Sequence, residues 1–194
     1  DFAIDVTKLT VTTYGYDHAT SYVYYDFGVG YFGTNVEIQF ELTVSALANE
    51  YGPCGVLVLT NDLGIAGDVA GGPVVSLNYQ DNKPTTYFEI WTGHDDYSGS
   101  THLHDAHLFN TTYYCTLIST YGASNTSTVK LGVYTDSART ILAGGTVPYG
   151  PGGITEAHGS QTYRYLLLAQ SANAASGDPT EVSMVIDKVK IISH

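Results

Sequence analysis

Apolar and polar residues alternate strictly through NVEIQFELTVSA, residues 35–46. Val36, Ile38, Phe40, Leu42, Val44 and Ala46 share one parity; Asn35, Glu37, Gln39, Glu41, Thr43 and Ser45 share the other. A period of two sends successive side chains to opposite faces of a strand, whereas a helix would scatter the same apolar positions around its circumference. The pattern predicts a long strand with one buried and one wet face. Strand-like stretches recur at SYVYYDF (21–27), VVSLNYQ (74–80), TTYFEIWT (85–92), TYYCTLIST (112–120), VKLGVYT (129–135), YRYLLLAQ (163–170) and EVSMVIDKVKII (181–192). GVLVLT (55–60) is apolar on both parities, which predicts a central strand covered on both sides. IDVTKLTVT slips phase between Lys8 and Leu9, as a β-bulge would.

Turn-rich stretches separate these runs: NDLGIAGDVAGGP (61–73), QDNKP (80–84) and GGTVPYGPGG (144–153). No internal repeat, low-complexity block or linker divides the chain, so residues 1–194 read as one all-β domain. Strands this numerous are better accommodated in a two-sheet antiparallel sandwich than in one open sheet with long exposed edges.

Composition sharpens the picture. Seventeen tyrosines and 21 glycines against one methionine and one tryptophan suit short strands joined by tight turns. Nineteen acidic against seven basic residues give a net charge of −12, a field that repels phosphate backbones and anionic lipid. Nucleic acid is therefore excluded as a partner, and no apolar run is long enough to span a bilayer as a helix. The chain opens on Asp1 rather than methionine, as a processed protein or an excised domain would. Cys54 and Cys115 fit no paired-cysteine metal spacing; a disulfide between them and two buried thiols both remain open. The sequons at Asn110 and Asn125 are glycosylation candidates and suit an extracellular, virion-surface or cell-surface location.

The order YVYYDFG, YFGTNVEIQFELTV, NTTYYCTL, VKLGVYTDSARTIL, YRYLLLAQS and VIDKVKI resembles the laminin-G-like, concanavalin A-like jelly rolls of phage and environmental surface proteins. The resemblance covers residues 20–191 and rests most on the Tyr-Tyr strand and the YTDSART turn. It implies two curved antiparallel sheets of about 12–14 strands in all. Its members are mostly glycan-binding, adhesive or structural modules; some relatives are glycanases or lyases, and the fold does not choose among them.

Catalytic motifs of those enzymes are not evident. Retaining glycanases on this sandwich carry Glu-x-Asp-x-x-Glu so that two carboxylates flank the bond. Here Glu37 and Glu41 lie about 13–14 Å apart along an extended strand, with Gln39 between them. An Arg-x-Glu-x-Arg of the lyase type is absent, since the arginines are Arg139 and Arg164, and so is a Gly-x-Ser-x-Gly elbow. In THLHDAH (101–107), His102 and His104 would share a face about 7 Å apart if extended. Without a ligand spacing, these histidines read as polar strand positions, and no metal is assigned. The resemblance brings in calcium at the sandwich rim, with Asp62, Asp68, Asp95 and Asp96 in suitable loops. In so acidic a chain they serve equally as solvating groups, and no cofactor is assigned.

Aromatic residues give the binding candidates. Tyr87, Glu89 and Trp91 share a face of one strand, two rings flanking a carboxylate, and would let sugar rings stack. The same face would also serve contact with a second subunit. The N-terminal strand has little to guard its edge, so Ile4, Val6, Lys8, Leu9 and Val11 are candidates for self-assembly by strand addition. Together these features lead to the expectation of a non-enzymatic structural or adhesive subunit, a homo-oligomer or filament. A free-standing lectin-like module that binds glycans is the alternative, and a glycan-active enzyme comes third.

Overall fold

The computed structural model of the chain describes residues 2–6, 9–15, 21–32, 35–48, 54–61, 63, 73–79, 86–92, 101–103, 109–121, 127–143, 154–156, 162–171 and 180–193. Thirteen strands and no helix occur among them. In chain order these are β1 (Phe2–Val6), β2 (Leu9–Gly15), β3 (Ser21–Asp26), β4 (Val36–Ala48), β5 (Cys54–Thr60), β6 (Pro73–Tyr79) and β7 (Thr86–Thr92). There follow β8 (Thr101–Leu103), β9 (Thr112–Tyr121), β10 (Ser127–Tyr134), β11 (Ile154–Glu156), β12 (Tyr165–Ser171) and β13 (Thr180–Ser193).

Every strand pairing is antiparallel, and the strands divide into two sheets. One runs β1–β13–β4–β9–β10–β11 with β2 also on β13; the other runs β3–β12–β5–β6–β7–β8. The architecture is the all-β jelly-roll sandwich that the strand pattern predicts.

The core follows from the alternation. Val36, Ile38, Phe40, Leu42 and Val44 of β4 are buried, and they pack with Cys115 and Leu117 of β9, Leu131 and Val133 of β10, and Met184 and Ile186 of β13. Burying a side chain of this size contributes about 1.5–3 kcal/mol. Val56–Thr60 of β5 and Leu166–Leu168 of β12 are buried without a break. Both strands are central in their sheet and covered on both faces, as the unbroken apolar run at 55–60 requires.

The end of β3 and the start of β12 are held by specific contacts. Arg164 grips Asp26 through two bonds, Nε to Oδ1 at 2.8 Å and Nη2 to Oδ2 at 2.6 Å, while the guanidinium lies 4.8 Å from the Tyr165 ring centre. The Arg164 bond, with a second from the Gly28 N–H, pushes the Asp26 carboxyl down to about 2. Beside it, Phe27 stacks on Tyr31 at 4.7 Å and meets Phe32 edge-on. Phe32 bridges Tyr163, whose phenol burial pushes up to about 12.

The N-terminal segment lies at the edge of its sheet. β2 pairs with Thr180–Ile186 of β13, and β1 pairs with the Val189 and Ile191 region of the same strand. Ile4, Val6, Leu9 and Val11 therefore sit in strands whose backbone is paired to the chain's own β13, with Lys8 outside the described residues. The phase slip falls at the break between the two strands.

Candidate functional site

β4 presents two faces. Its inward parity makes the core; its outward parity lies with the outward residues of β9, β10 and β13. Register fixes the layout in rows across the strands: Tyr134–Tyr114–Glu41–Asp187, then Gly132–Thr116–Gln39–Lys190, then Lys130–Ile118–Glu37–Ile192. Four strands at their usual spacing span about 14–15 Å. This face holds Lys130, Lys188 and Lys190, three of the seven basic residues in a chain of net charge −12. Thr116 is buried although it points outward, and Gln39, Tyr114 and Tyr134 are half-buried. The face is thus a partly sheltered polar floor rather than a fully solvated surface.

A glycine inside a strand marks a place where something approaches the backbone closely. Here it is the Tyr134 ring. A Cβ added at Gly132 would lie 2.6 Å from Cε2, 2.7 Å from Oη and 2.9 Å from Cζ of Tyr134. The phenol therefore lies over Gly132 and brings its hydroxyl to the middle row, above the line that continues to Thr116 and Gln39. Behind it, the loop after β10 is pinned by Asp136. The Asp136 carboxylate accepts from the backbone N–H of Ile141 at 2.6 Å and of Thr140 at 2.9 Å, and from the Thr140 hydroxyl at 2.8 Å. Those bonds, that of Ile141 foremost, hold its carboxyl below the usual range. Leu142 bridges back to Tyr134, so the base of the tyrosine is fixed by the loop.

Neighbouring polar groups are also ordered. Gln39 Nε2 donates to Glu37 Oε1 at 2.6 Å, and the Thr43 and Thr112 hydroxyls meet at 2.8 Å. Lys188 Nζ donates to Glu41 Oε1 at 2.9 Å, a contact that raises the lysine's pKa. Lys188 comes from a bulge. Asp187 pairs with Glu41 and Lys190 with Gln39, leaving one residue more on β13 than on β4, and Lys188 adopts φ 51°. The register slip turns Asp187 and Lys188 outward together while Val189 and Ile191 return to the core.

Other sequence candidates fall elsewhere. Tyr87, Glu89 and Trp91 lie on β7 of the opposite sheet, with Glu89 in register with Ser76 and His102; their side chains lie outside the described residues. Thr101–Leu103 of THLHDAH form the edge strand β8, and residues 104–107 lie outside the described residues, as do Asp62, Asp68, Asp95, Asp96 and Asn125. Among the described residues no group of three or more His, Cys, Asp or Glu is placed to hold a metal ion. Asn110 is exposed with φ 60°, its N–H donating to the Val44 carbonyl at 2.8 Å. Cys115 is a free, fully buried thiol whose pKa is raised by desolvation.

Two signals for the polar floor are present in the sequence. VKLGVYT places Lys130, Gly132 and Tyr134 on one parity around a mid-strand glycine. In the last strand the apolar spacing lengthens from two to three between Ile186 and Val189, which marks the bulge.

No protein-family model matches the chain, and no curated protein matches it by sequence. Solved structures do. The chain is similar to the alginate lyase Aly36B, with TM-score 0.58 and 11% identity over 94% of this chain and 80% of that one. A variant of Aly36B in complex with alginate tetrasaccharide gives TM-score 0.54 and 12% identity, over 95% and 81%. An endo-β-1,4-glucuronan lyase from the fungus Trichoderma reesei gives TM-score 0.53 and 9% identity, over 95% and 81%. At these identities the likeness shows the jelly-roll fold; none of these three is a laminin-G domain.

These neighbours correct two expectations, that of a structural or adhesive subunit and that of a chain without enzymatic activity. The three solved sandwiches named above are polysaccharide lyases by their descriptions. The motif test misled for a chemical reason. Paired carboxylates are the signature of hydrolysis, whereas elimination from an acidic sugar calls for cations and a proton carrier. Lysine and tyrosine side chains are chemically able to supply those, so the absence of Arg-x-Glu-x-Arg does not exclude elimination.

Proposed function

We propose that the chain is a polysaccharide lyase that cleaves an acidic, uronate-containing glycan on the outer face of the β13–β4–β9–β10 sheet. The observation that carries this reading is the Tyr134 phenol laid over Gly132, in the middle of a lysine-bearing floor. The neighbours support the substrate class: by their descriptions one acts on alginate and another on glucuronan, both polymers of uronic acids.

The reaction is a β-elimination. The proton on C5 of the uronate leaves, its electron pair forms the C4=C5 double bond, the C4–O4 bond breaks, and O4 takes up a proton. Three things are asked of the protein: donors that stabilise charge developing on the carboxylate, a base, and an acid. Lys190 and the Gln39 amide occupy the middle row, where a carboxylate placed on the floor accepts from them. The Tyr134 hydroxyl both donates and accepts hydrogen bonds, so it suits proton transfer at C5 or O4. Gln39 and Tyr134 are half-buried, which strengthens their electrostatics relative to open water, while Lys190 is exposed. Polymers of this kind are met outside cells, which agrees with an extracellular location.

The test is incubation with a panel of polyuronates, reading the ultraviolet absorbance of the unsaturated product. Wild type is expected to generate it on at least one polymer, and Tyr134→Phe to lose about 10²–10⁴-fold in rate with an unchanged melting temperature. Binding without cleavage, or full activity in Tyr134→Phe, would overturn the proposal.

A further inference from the structure

Lys188 is an unusual residue in an unusual place. A non-glycine residue at positive φ is uncommon, and its strain persists where surrounding structure over-determines it, most often at functional positions. Here φ is 51°, inside a bulge whose effect is to aim the side chain at the polar floor. Bulges are over-represented next to active sites, where they re-aim a side chain. The contact so gained is the bond to Glu41, with the lysine side chain 66% exposed and the glutamate 15%. With its ammonium two-thirds exposed, the pair is screened by solvent and contributes only modestly to stability, which is a weak return for the strained backbone that creates it.

The geometry instead resembles a cation held in readiness. Glu41 lies at floor level in the Tyr134–Tyr114 row, and the ammonium stands above it at the lip. An ammonium has three donors; the Glu41 bond uses one, and the side chain's exposure leaves the others facing solvent. We infer that Lys188 is the specificity-determining cation of the site: it selects a uronate by bonding its sugar carboxylate, and Glu41 holds the ammonium in place for that contact. The inference rests on the lyase reading above and adds to it the residue that tells charged from neutral sugars.

The test uses Lys188→Gly, which keeps the bulge conformation because glycine adopts positive φ freely, and Lys188→Ala beside it. Kinetics on the polyuronate that wild type cleaves are combined with calorimetric binding of alginate trisaccharide and its carboxyl-reduced, neutral counterpart. Lys188→Gly is expected to raise KM about tenfold, to lower kcat by less, and to weaken its salt dependence, since one screened charge contact is gone. The advantage of the acidic trisaccharide over the neutral one is expected to shrink in parallel, with the melting temperature maintained. If wild type cleaves a polyuronate and Lys188→Gly matches it in KM and in acid-over-neutral preference, this inference fails and the lyase reading stands. An equal loss on a sulfated galactan oligomer would reduce Lys188 to general anion attraction and overturn the specificity claim. A wild type inert on every polyuronate overturns both.

Discussion

Gly132→Ala separates the site from the fold with a single methyl group. The added Cβ would meet Tyr134 at 2.6–2.9 Å, and ordinary contact begins near 3.4 Å, so the ring has to retreat by about 0.8 Å. The atoms it meets are the far end of a side chain rather than backbone, which makes the retreat cheap in stability. Glycine to alanine where the backbone permits it also gains about 0.4–1 kcal/mol through the unfolded chain. Catalysis is far less forgiving. A misplacement of about 1 Å costs about 100-fold in rate, equivalent to about 2.7 kcal/mol at 1.36 kcal/mol per decade. The expected variant therefore melts at or slightly above the wild-type temperature and loses about 50–100-fold in kcat/KM. Initial rates from the unsaturated product and a calorimetric melt on the same preparation check both halves. Half of wild-type activity or more would refute the role given to the phenol's position. A parallel loss of activity and melting temperature would refute the separation of site from fold.

Phe40 is fully buried at the centre of the core, so Phe40→Ala should cost about 3–5 kcal/mol in urea unfolding; an unchanged midpoint would mean that the β4 face is misassigned. The Asp26 carboxyl is held down to about 2 in the folded chain against 3.8 ordinarily, chiefly by the Arg164 bond. Its contribution to stability is therefore complete above about pH 4 and lost as pH falls through about 2. Melts from about pH 5 to pH 2 should fall less steeply in Asp26→Asn than in wild type. Cys115 should resist alkylation in the folded protein, because burial keeps the thiol protonated and out of reach, and react at once in denaturant; alkylation under native conditions would place it at the surface.

The sandwich was legible in the sequence because burial writes directly into period two. Val36 to Val44 alternate with Glu37 to Ser45, and the two parities are the core and the floor. The run at 55–60 lost its alternation because β5 is covered on both sides. The floor was harder to read. Its chemistry is spread over four strands that are remote in sequence, and nothing local says that Lys130, Gln39 and Lys190 share a face. Gly132 reads as a weak strand position until the Tyr134 ring is seen lying over it. The pairing of Ile4 to Val11 with β13, about 180 residues further along the chain, was equally hidden, because no local pattern names a strand's partner.

Strand β13 enters its sheet between β4 and the pair β1 and β2, so the strand made after all the others described occupies an interior position. Phe2 is in register with Ile191, and Val36 with Ser193. Closing such loops is entropically expensive before any contact rewards it, and folds dominated by non-local pairing mature in about milliseconds to seconds rather than microseconds. Until residues 180–193 leave the ribosome, one hydrogen-bonding edge of β4 stays open over its whole length, the condition under which nascent β-proteins associate. Pulse-labelled hydrogen exchange should accordingly find the β9–β10 hairpin protected early and β13 late. Protection of β13 ahead of that hairpin would reverse the order. The hour of greatest danger for this molecule is therefore its own synthesis, and the fourteen residues of β13 end it.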